Sequence, residues 1–380
     1  MRFLFVTGGG SAPVHSGVPL AWAARAAGHE VILAAPEENI DLLVRLGLPA
    51  YGVTRLGIVD AMLKDRQGNW LGMPVAEDQE LDFAGRGFAR LAAASYPAIV
   101  ELARSWRPDV VIGGEYNLAA MLLAHQFDLP LVRHTWAVYA RTDVDWRGAT
   151  DELRPELSRL GLDAIPEPGM FIDITPPSIR PKDAEPAQLM RWAPGNPQVP
   201  LQPWMYAKGD RPRVVLTSGS RSTLSPALGI DFFRPLLDNP ALRDGDVEVV
   251  VATSEPVAAQ LLDDYPEVKA GFVPLDVLAP TADLVIHHGG GVTVMTVLNA
   301  GTPQLVLPEM LASAQPMRLV DEYGASITLP THTEPVNVVS AAVTGILSDP
   351  SFKERALELA AEIAGLPRQT EVIAEIEKMI

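Results

Sequence analysis

A glycine-rich turn between an apolar strand-like run and a helical run constrains this sequence more than any other feature. The turn spans His287–Thr293 and joins the apolar run 283–286 to the helical run 292–300. Glycines at such a turn let backbone N–H groups approach a phosphate closely, and the helix start adds partial positive charge. The Thr293 hydroxyl and the two histidines add further donors, so a diphosphate can be neutralised there without a metal. The alternative is an ordinary glycine-rich turn without a ligand.

Length, charge and composition narrow the classes of protein that this chain can represent. With 380 residues, 48% of them hydrophobic, the chain is long enough for two domain-sized cores. A net charge of −17 argues against nucleic acid or an anionic membrane as a partner. The absence of cysteine excludes disulfides, cysteine-ligated metals and thiol catalysis. The apolar run 3–7 is too short for a signal peptide, and no run approaches the ~18 apolar residues of a membrane helix, so a cytoplasmic protein is expected.

Apolar strand-like runs alternate with helical patterns along the chain, which indicates parallel sheets covered by helices. The proline-dense stretch 176–203 divides the pattern, and because proline removes hydrogen-bond donors, we predict a tether there. We therefore expect one domain over 1–195, a linker over 196–212 and a second domain over 213–365. Strands are predicted at 2–6, 30–35, 109–112, 131–134, 170–174, 213–217, 247–252, 270–273, 284–286 and 304–307. Helices are predicted at 15–27, 38–46, 80–104, 118–127, 151–160, 230–237, 350–365 and 370–380.

Both domains open with the same order of elements, which is a strand, a turn of small residues and a helix. The first instance begins at 2–10 and the second at 213–220. This order predicts two doubly wound α/β domains, and such folds bind ligands beyond the carboxyl ends of their parallel strands.

The turn at 287–293, together with the following turn, strand and proline over 301–308, resembles the donor-binding signature of family-1, nucleotide-sugar-dependent glycosyltransferases of the GT-B type. The opening segments 1–6 and 19–31 resemble bacterial glycosyltransferases that decorate polyketide antibiotics, closest to angucycline-type enzymes that attach deoxysugars to aromatic polyketides, some through C–C bonds. The resemblance implies a GT-B fold, in which two Rossmann-like domains face a cleft and the last helix, 366–380, packs back on the N-terminal domain. The same likeness extends over 106–109, 152–157, 172–178 and 203–206.

The resemblance places the donor site in the second domain. It implies that His288 contacts the pyrophosphate, that Phe272 stacks on the nucleobase and that the backbone of Val273 reads its edge. For Phe272 the alternative is a core aromatic. His287 is expected to be structural, because side chains alternate along a strand and it should point away from His288. The remaining donor-site residues implied by the resemblance are Ser218, Ser220, Gly290, Gly291, Val292, Thr293 and Gln315.

One departure from the family pattern bears on the donor sugar. Many relatives carry an Asp-Gln pair after the proline equivalent to Pro308, and this pair hydrogen-bonds to the hydroxyls of the donor sugar. Here the corresponding residues are 310–315, which end in Gln315 and contain no aspartate. A pocket of apolar and small residues suits a sugar that has lost hydroxyls, because a buried polar group without its partner costs ~1–3 kcal/mol. We therefore expect a deoxysugar.

The acceptor site is expected in the first domain, where many of the large aromatic and methionine side chains fall. Such side chains suit a flat, apolar aglycone. Phe83 and Phe88 have the alternative of being helix core residues. Trp70 and Trp136 lie on loop-like stretches, and with Tyr139 they are our candidates for acceptor contacts.

The catalytic base is expected to be a histidine in the first loop, as in many relatives. The usual position corresponds to Pro13 here, and the available histidine is His15, two residues later. Its ordinary pKa near 6.5 suits proton acceptance at neutral pH. Some C-glycosylating relatives carry an aspartate after the tryptophan equivalent to Trp136, but here that residue is Ala137. Glu115 matches the acidic position that supports the histidine elsewhere, and for His15 the alternative is a plain helix-start residue.

Asp143 and Asp145 are further candidates for the base. Their spacing also matches the Asp-x-Asp metal motif of the other glycosyltransferase fold. Because that motif follows a different order of elements, we expect no metal site and no cofactor.

The resemblance thus implies an inverting, metal-independent transferase that moves a deoxysugar from a dTDP-sugar to an aromatic polyketide-type aglycone in antibiotic biosynthesis, by O- or C-attachment. Two alternatives stay open, namely a nucleotide-sugar epimerase of the same fold and a non-catalytic nucleotide-sugar-binding helper. An epimerase needs several side chains that hydrogen-bond to the sugar hydroxyls, and residues 309–315 contain few of them. The expected partners are the donor and the acceptor, without nucleic acid or membrane, and a homodimer stays open.

Overall fold

The computed structural model describes residues 1–74, 76–139, 143–220, 228–309 and 314–380. The chain divides into two compact units. The first unit comprises residues 1–174, 183–195 and 366–380, and the second comprises residues 175–182 and 196–365.

The first unit is built on a parallel sheet, seven-stranded within the described residues, with the order β3-β2-β1-β4-β5-β6-β7. Its central strands read as continuous apolar runs because helices cover both faces of the sheet. The direction of the strand order reverses between β1 and β4, which is where such folds bind ligands. The strands are β1 (Arg2–Val6), β2 (Glu30–Ala35), β3 (Ala50–Gly52), β4 (Val110–Gly114), β5 (Leu131–His134), β6 (Met170–Asp173) and β7 (Gln188–Leu189). The helices are α1 (Ala12–Ala26), α2 (Ile40–Arg45), α3 (Ile58–Leu63), α4 (Glu77–Trp106), α5 (Leu118–Phe127), α6 (Asp143–Glu152) and α7 (Arg154–Arg159).

The second unit repeats this design with a parallel sheet that has six strands in the described part of the chain, in the order β10-β9-β8-β11-β12-β13. Here the order reverses between β8 and β11. The strands are β8 (Arg213–Thr217), β9 (Glu248–Ala252), β10 (Lys269–Gly271), β11 (Leu284–His287), β12 (Gln304–Val306) and β13 (Ser326–Thr328). The helices are α8 (Pro203–Tyr206), α9 (Ile230–Leu237), α10 (Pro240–Arg243), α11 (Glu255–Asp264), α12 (Leu275–Leu278), α13 (Gly291–Asn299), α14 (Met317–Tyr323), α15 (Val336–Ser348) and α16 (Pro350–Gly365).

The last helix, α17 (Gln369–Glu377), belongs to the first unit and packs against α1. It buries Val372, Ile373 and Ile376. At its end, His29 Nε2 lies 2.7 Å from Glu377 Oε1. Apolar burial and this polar contact together attach the end of the chain to the first unit.

The proline-dense stretch differs from the predicted tether. Within it, β7 joins the first sheet beside β6, and Met190 and Trp192 are buried. Residues 196–212, predicted as a linker, cluster with the second unit, where Met205 is part of the apolar core. Proline blocks regular pairing but not side-chain burial, and the composition of the stretch therefore misled the prediction.

Most predicted elements agree with the structure to within a few residues, and the main disagreement is the helix predicted at 151–160. There α6 ends at Glu152 and α7 begins at Arg154, with Pro155 in its first turn. Proline in a first helical turn favours a new helix start over a continuous helix. Within the described segments, none of the helices combines the length and the apolar composition that a membrane crossing requires.

Candidate functional site

Two turns meet at the carboxyl edge of the second sheet. Strands β8 and β11 are neighbours, with Thr217 opposite His287. The residues that follow each strand therefore lie side by side at the reversal of the strand order. These are Ser218–Ser220 after β8 and His288–Gly290 after β11, and the latter leads into α13.

The imidazole of His288 lies between the glycines of these two turns. A Cβ added to Gly290 would lie 2.7 Å from His288 Nε2, and one added to Gly219 would lie 3.2 Å from Cε1. The hydroxyl of Thr293, in the first turn of α13, would be 3.5 Å from that same Gly219 position. His288 is only 7% exposed. The His288 ring therefore fits between the two turns because neither glycine carries a side chain.

His287 points the other way, as the alternation along β11 predicted. It is fully buried, its Nδ1 accepts the Gly289 N–H at 3.0 Å, and its Nε2 donates to Gln304 Oε1 at 2.7 Å. Burial lowers the pKa of His287 to about 4, so the ring is neutral at physiological pH. A neutral ring that accepts at Nδ1 must carry its proton on Nε2, which fits both bonds. Both ring nitrogens of His287 are therefore bonded within the fold.

The serines after β8 differ in their surroundings. Ser218 is fully buried, and its hydroxyl donates to the Leu228 carbonyl at 2.6 Å, so that donor is committed within the fold. Ser220 is exposed at the end of the described part of this turn. Of the two predicted phosphate contacts, Ser220 has the more accessible side chain.

The predicted nucleobase segment follows β10. Phe272 is 38% exposed, which excludes the alternative of a core aromatic, and its N–H donates to Glu255 Oε1 at 3.2 Å. Val273 is buried in the apolar core beneath it. An open aromatic ring on a buried neighbour has the arrangement of a stacking platform. Gln315 is partly buried, while residues 310–313, on which the deoxysugar prediction depends, lie outside the described residues.

An aromatic cluster occupies the carboxyl edge of the first sheet. Tyr116 and Trp136 each follow a strand, β4 and β5, by two residues, and their ring centroids are 5.4 Å apart. Phe88 of α4 stacks on Tyr116 at 4.8 Å and lies 5.7 Å from Trp136. Trp146 of α6 is 6.5 Å from Tyr116. Tyr116 was missed from the sequence, although an aromatic residue two positions after a strand end is a usable signal.

The other two predicted acceptor residues lie elsewhere in the first unit. Trp70 is 68% exposed in a short turn, where the Lys64 ammonium lies 5.4 Å from its ring. Tyr139 packs edge-on against Phe171 at 5.9 Å. Among the described ring contacts, Trp136 alone of the three predicted residues belongs to the aromatic cluster.

His15 lies in the first turn of α1, after the glycine turn that ends β1. Its Nε2 is buried and has no hydrogen-bond partner within the described residues. Burial lowers its pKa to about 4, and the expectation of an ordinary pKa near 6.5 was therefore wrong. At neutral pH the ring is unprotonated, which is the form that accepts a proton.

The acidic candidates are placed differently from one another. Glu115 is buried directly after β4, and its predicted role in orienting His15 stays a prediction. Asp143 is exposed at the start of α6. Asp145 is buried and accepts a hydrogen bond from the Tyr116 hydroxyl. That contact makes Asp145 part of the support of the aromatic cluster.

Comparison with known proteins gives consistent matches over the whole chain. The family models for the N- and C-terminal domains of erythromycin biosynthesis protein CIII-like proteins match residues 65–219 and 236–379. The L-demethylnoviosyl transferase of Streptomyces niveus is 31% identical over 377 residues, 99% of this chain and 97% of that protein. The crystal structure of SsfS6, a glycosyltransferase of Streptomyces sp. SF2575 complexed with thymidine diphosphate, has 32% identity, a TM-score of 0.87 and coverage of 100% and 99%. The spinosyn rhamnosyltransferase SpnG complexed with spinosyn aglycone has 28% identity, a TM-score of 0.83 and coverage of 99% and 100%.

Two Rossmann-like units, the second with a histidine set in a glycine turn at a helix start, define a glycosyltransferase of the GT-B fold. The chain belongs to the erythromycin biosynthesis protein CIII-like family of antibiotic glycosyltransferases. The family predicted from the sequence is thereby confirmed.

Proposed function

We propose that this enzyme transfers a deoxysugar from a dTDP-sugar to an aromatic polyketide-type aglycone, with inversion at the anomeric carbon and with oxygen or carbon as the acceptor atom. The observation that carries the donor part is the placement of His288 between Gly219 and Gly290, beside the start of α13. The thymidine diphosphate complex of SsfS6 supports the choice of nucleotide.

At the donor end, the task is to stabilise the diphosphate as it leaves. Backbone N–H groups at the start of α13, the Thr293 hydroxyl and the His288 ring supply donors there. Glycine at 219 and 290 keeps side chains out of the space next to the ring. The exposed ring of Phe272 stacks on the thymine. In this arrangement the helix dipole and the hydrogen-bond donors take the role that a metal has in other transferases.

At the acceptor end, the cluster of Phe88, Tyr116 and Trp136 offers apolar faces to a flat ring system. The aglycone complex of SpnG supports a natural-product acceptor. His15, unprotonated at neutral pH, takes the acceptor proton as the nucleophile attacks the anomeric carbon. The carbon inverts because the nucleophile enters opposite the departing diphosphate.

Calorimetric titration with thymidine diphosphate tests the donor site. Binding is expected to persist in EDTA, and His288→Ala should weaken it at least about tenfold, since a hydrogen bond to a charged group contributes ~1.5–3 kcal/mol. His125→Ala, which removes an exposed histidine from α5, is the matched control and should bind like the unchanged protein. Binding that disappears in EDTA and returns with Mg²⁺ would refute the metal-free site.

Incubation of dTDP-deoxysugars with and without aromatic polyketide aglycones separates the alternatives. A new glycoside that forms only when both are present supports the transferase, and dTDP-glucose should react more slowly than a deoxysugar donor. A changed nucleotide sugar without any aglycone identifies an epimerase. Tight nucleotide binding without turnover against a broad aglycone panel identifies a helper protein.

A further inference from the structure

The first unit contains a small cavity at the carboxyl ends of three adjacent strands. The space open to the centre of a water molecule is about 20 Å³. Its polar side chains are Thr7 after β1, Asn117 in the loop after β4, His134 at the end of β5, and Ser16 of α1, whose hydroxyl donates to the Pro13 carbonyl at 3.2 Å. Roughly 10–15 Å³ of such space holds one water.

The other three side chains each have a buried polar atom that lacks a partner within the described residues. The atoms are Thr7 Oγ1, Asn117 Oδ1 and His134 Nε2. The residues are 7%, 5% and 3% exposed, so bulk solvent does not satisfy them. Buried polar groups are almost always hydrogen-bonded, and three orphans around one cavity point to a shared partner.

The bonding capacity of the three atoms identifies that partner. The Asn117 amide nitrogen already donates to the Val6 carbonyl at 2.5 Å, which leaves Oδ1 as an acceptor. His134 is neutral because burial lowers its pKa to about 4, and a neutral imidazole has one acceptor nitrogen, which we assign to the buried Nε2. The Thr7 hydroxyl can donate or accept. An occupant that donates to Asn117 and His134 and accepts from Thr7 satisfies all three atoms, which suits a water molecule.

We propose that this cavity is an internal water site in which one water donates to Asn117 and His134 and accepts from Thr7. The water connects the ends of β1, β4 and β5. Asn117 Oδ1 also lies against the first glycine of the β1 turn, since a Cβ at Gly8 would be 2.5 Å from it. The bound water thus completes the polar support beneath the turn that leads into α1.

A matched pair of substitutions at Thr7 tests the site. Thr7→Val keeps the side-chain shape and removes the hydroxyl, whereas Thr7→Ser keeps the hydroxyl and removes a methyl. In crystal structures, the unchanged protein and Thr7→Ser should show a density peak with three hydrogen-bonding neighbours, and the peak should weaken or vanish in Thr7→Val. Thr7→Val should also lower Tm by about 2–4 °C, while Thr344→Val, an exposed control on α15, should not.

Three results would overturn the proposal. The first is an empty cavity in the unchanged protein at a resolution that shows other buried waters. The second is a structure in which Thr7, Asn117 and His134 bond directly to one another. The third is a metal ion, recognised by short ligand distances and anomalous scattering, in place of the water.

Discussion

Gly290→Ala should weaken nucleotide binding through a single contact. Gly290 precedes α13 with φ −62°, a backbone conformation that alanine adopts without strain. The added Cβ would lie 2.7 Å from His288 Nε2 and 2.9 Å from Cε1, whereas ordinary contacts begin at 3.4 Å. The ring must therefore retreat by 0.7 Å, the difference between 3.4 and 2.7. A histidine displaced that far should no longer align with the diphosphate that we propose it contacts.

The size of the effect follows from the bond that is lost. A hydrogen bond to a charged group contributes ~1.5–3 kcal/mol, and each ~1.4 kcal/mol is tenfold in Kd. Gly290→Ala should therefore raise the Kd for thymidine diphosphate about 10- to 100-fold. The free energy of unfolding should change little, because the backbone is unstrained and replacement of a glycine at a compatible position offsets part of the crowding.

Calorimetric titration measures the Kd, and thermal unfolding measures stability. Gly345→Ala in α15 is the control, because nothing lies within 4 Å of its added Cβ, and it should bind normally with an equal or higher Tm. If Gly290→Ala acts through His288, the double variant with His288→Ala should bind no more weakly than His288→Ala alone. A Kd for Gly290→Ala within about twofold of the unchanged protein, or additive losses in the double variant, would show that the added Cβ does not act through His288.

Three further predictions concern the first unit and the buried histidines. His15→Ala should lower turnover by roughly 10²–10⁴ with nearly unchanged nucleotide affinity, and a variant that keeps more than about a third of the activity would place the base elsewhere. Burial lowers the pKa values of His15, His134 and His287 to about 4, below the ordinary 6.5, so the unfolded chain binds protons more readily than the folded chain. The free energy of unfolding should therefore be highest above about pH 6.5 and fall towards pH 4. Denaturant midpoints that do not change over this pH range would contradict the prediction. Trp136→Ala should raise the acceptor KM about 3- to 10-fold without affecting nucleotide Kd, while Trp22→Ala, an exposed tryptophan of α1, should leave both unchanged.

The architecture was largely predictable because the local hydrophobic patterns of this chain reflect how each segment is buried in the fold. Strands buried on both faces of a parallel sheet read as unbroken apolar runs, and this identified the central strands of both units. The alternation of side chains along β11 also predicted that His287 and His288 face opposite ways, and in the structure His287 contacts Gln304 whereas His288 lies between Gly219 and Gly290. The short strands β3, β7 and β13 were missed, because two or three residues carry little readable pattern, whereas β10 and β12, also of three residues, were predicted as parts of longer apolar runs.

Tertiary structure decided how the candidate site is assembled. Gly219 and Gly290 are far apart in the chain, and they meet around His288 only because β8 and β11 are neighbours in the sheet. Tyr116 joins Trp136 in the aromatic cluster because β4 and β5 pair. The lowered pKa of His15 likewise depends on everything that packs around its ring. The order of strands and the burial of a side chain depend on the whole fold, whereas a sequence motif contains information only about its own residues.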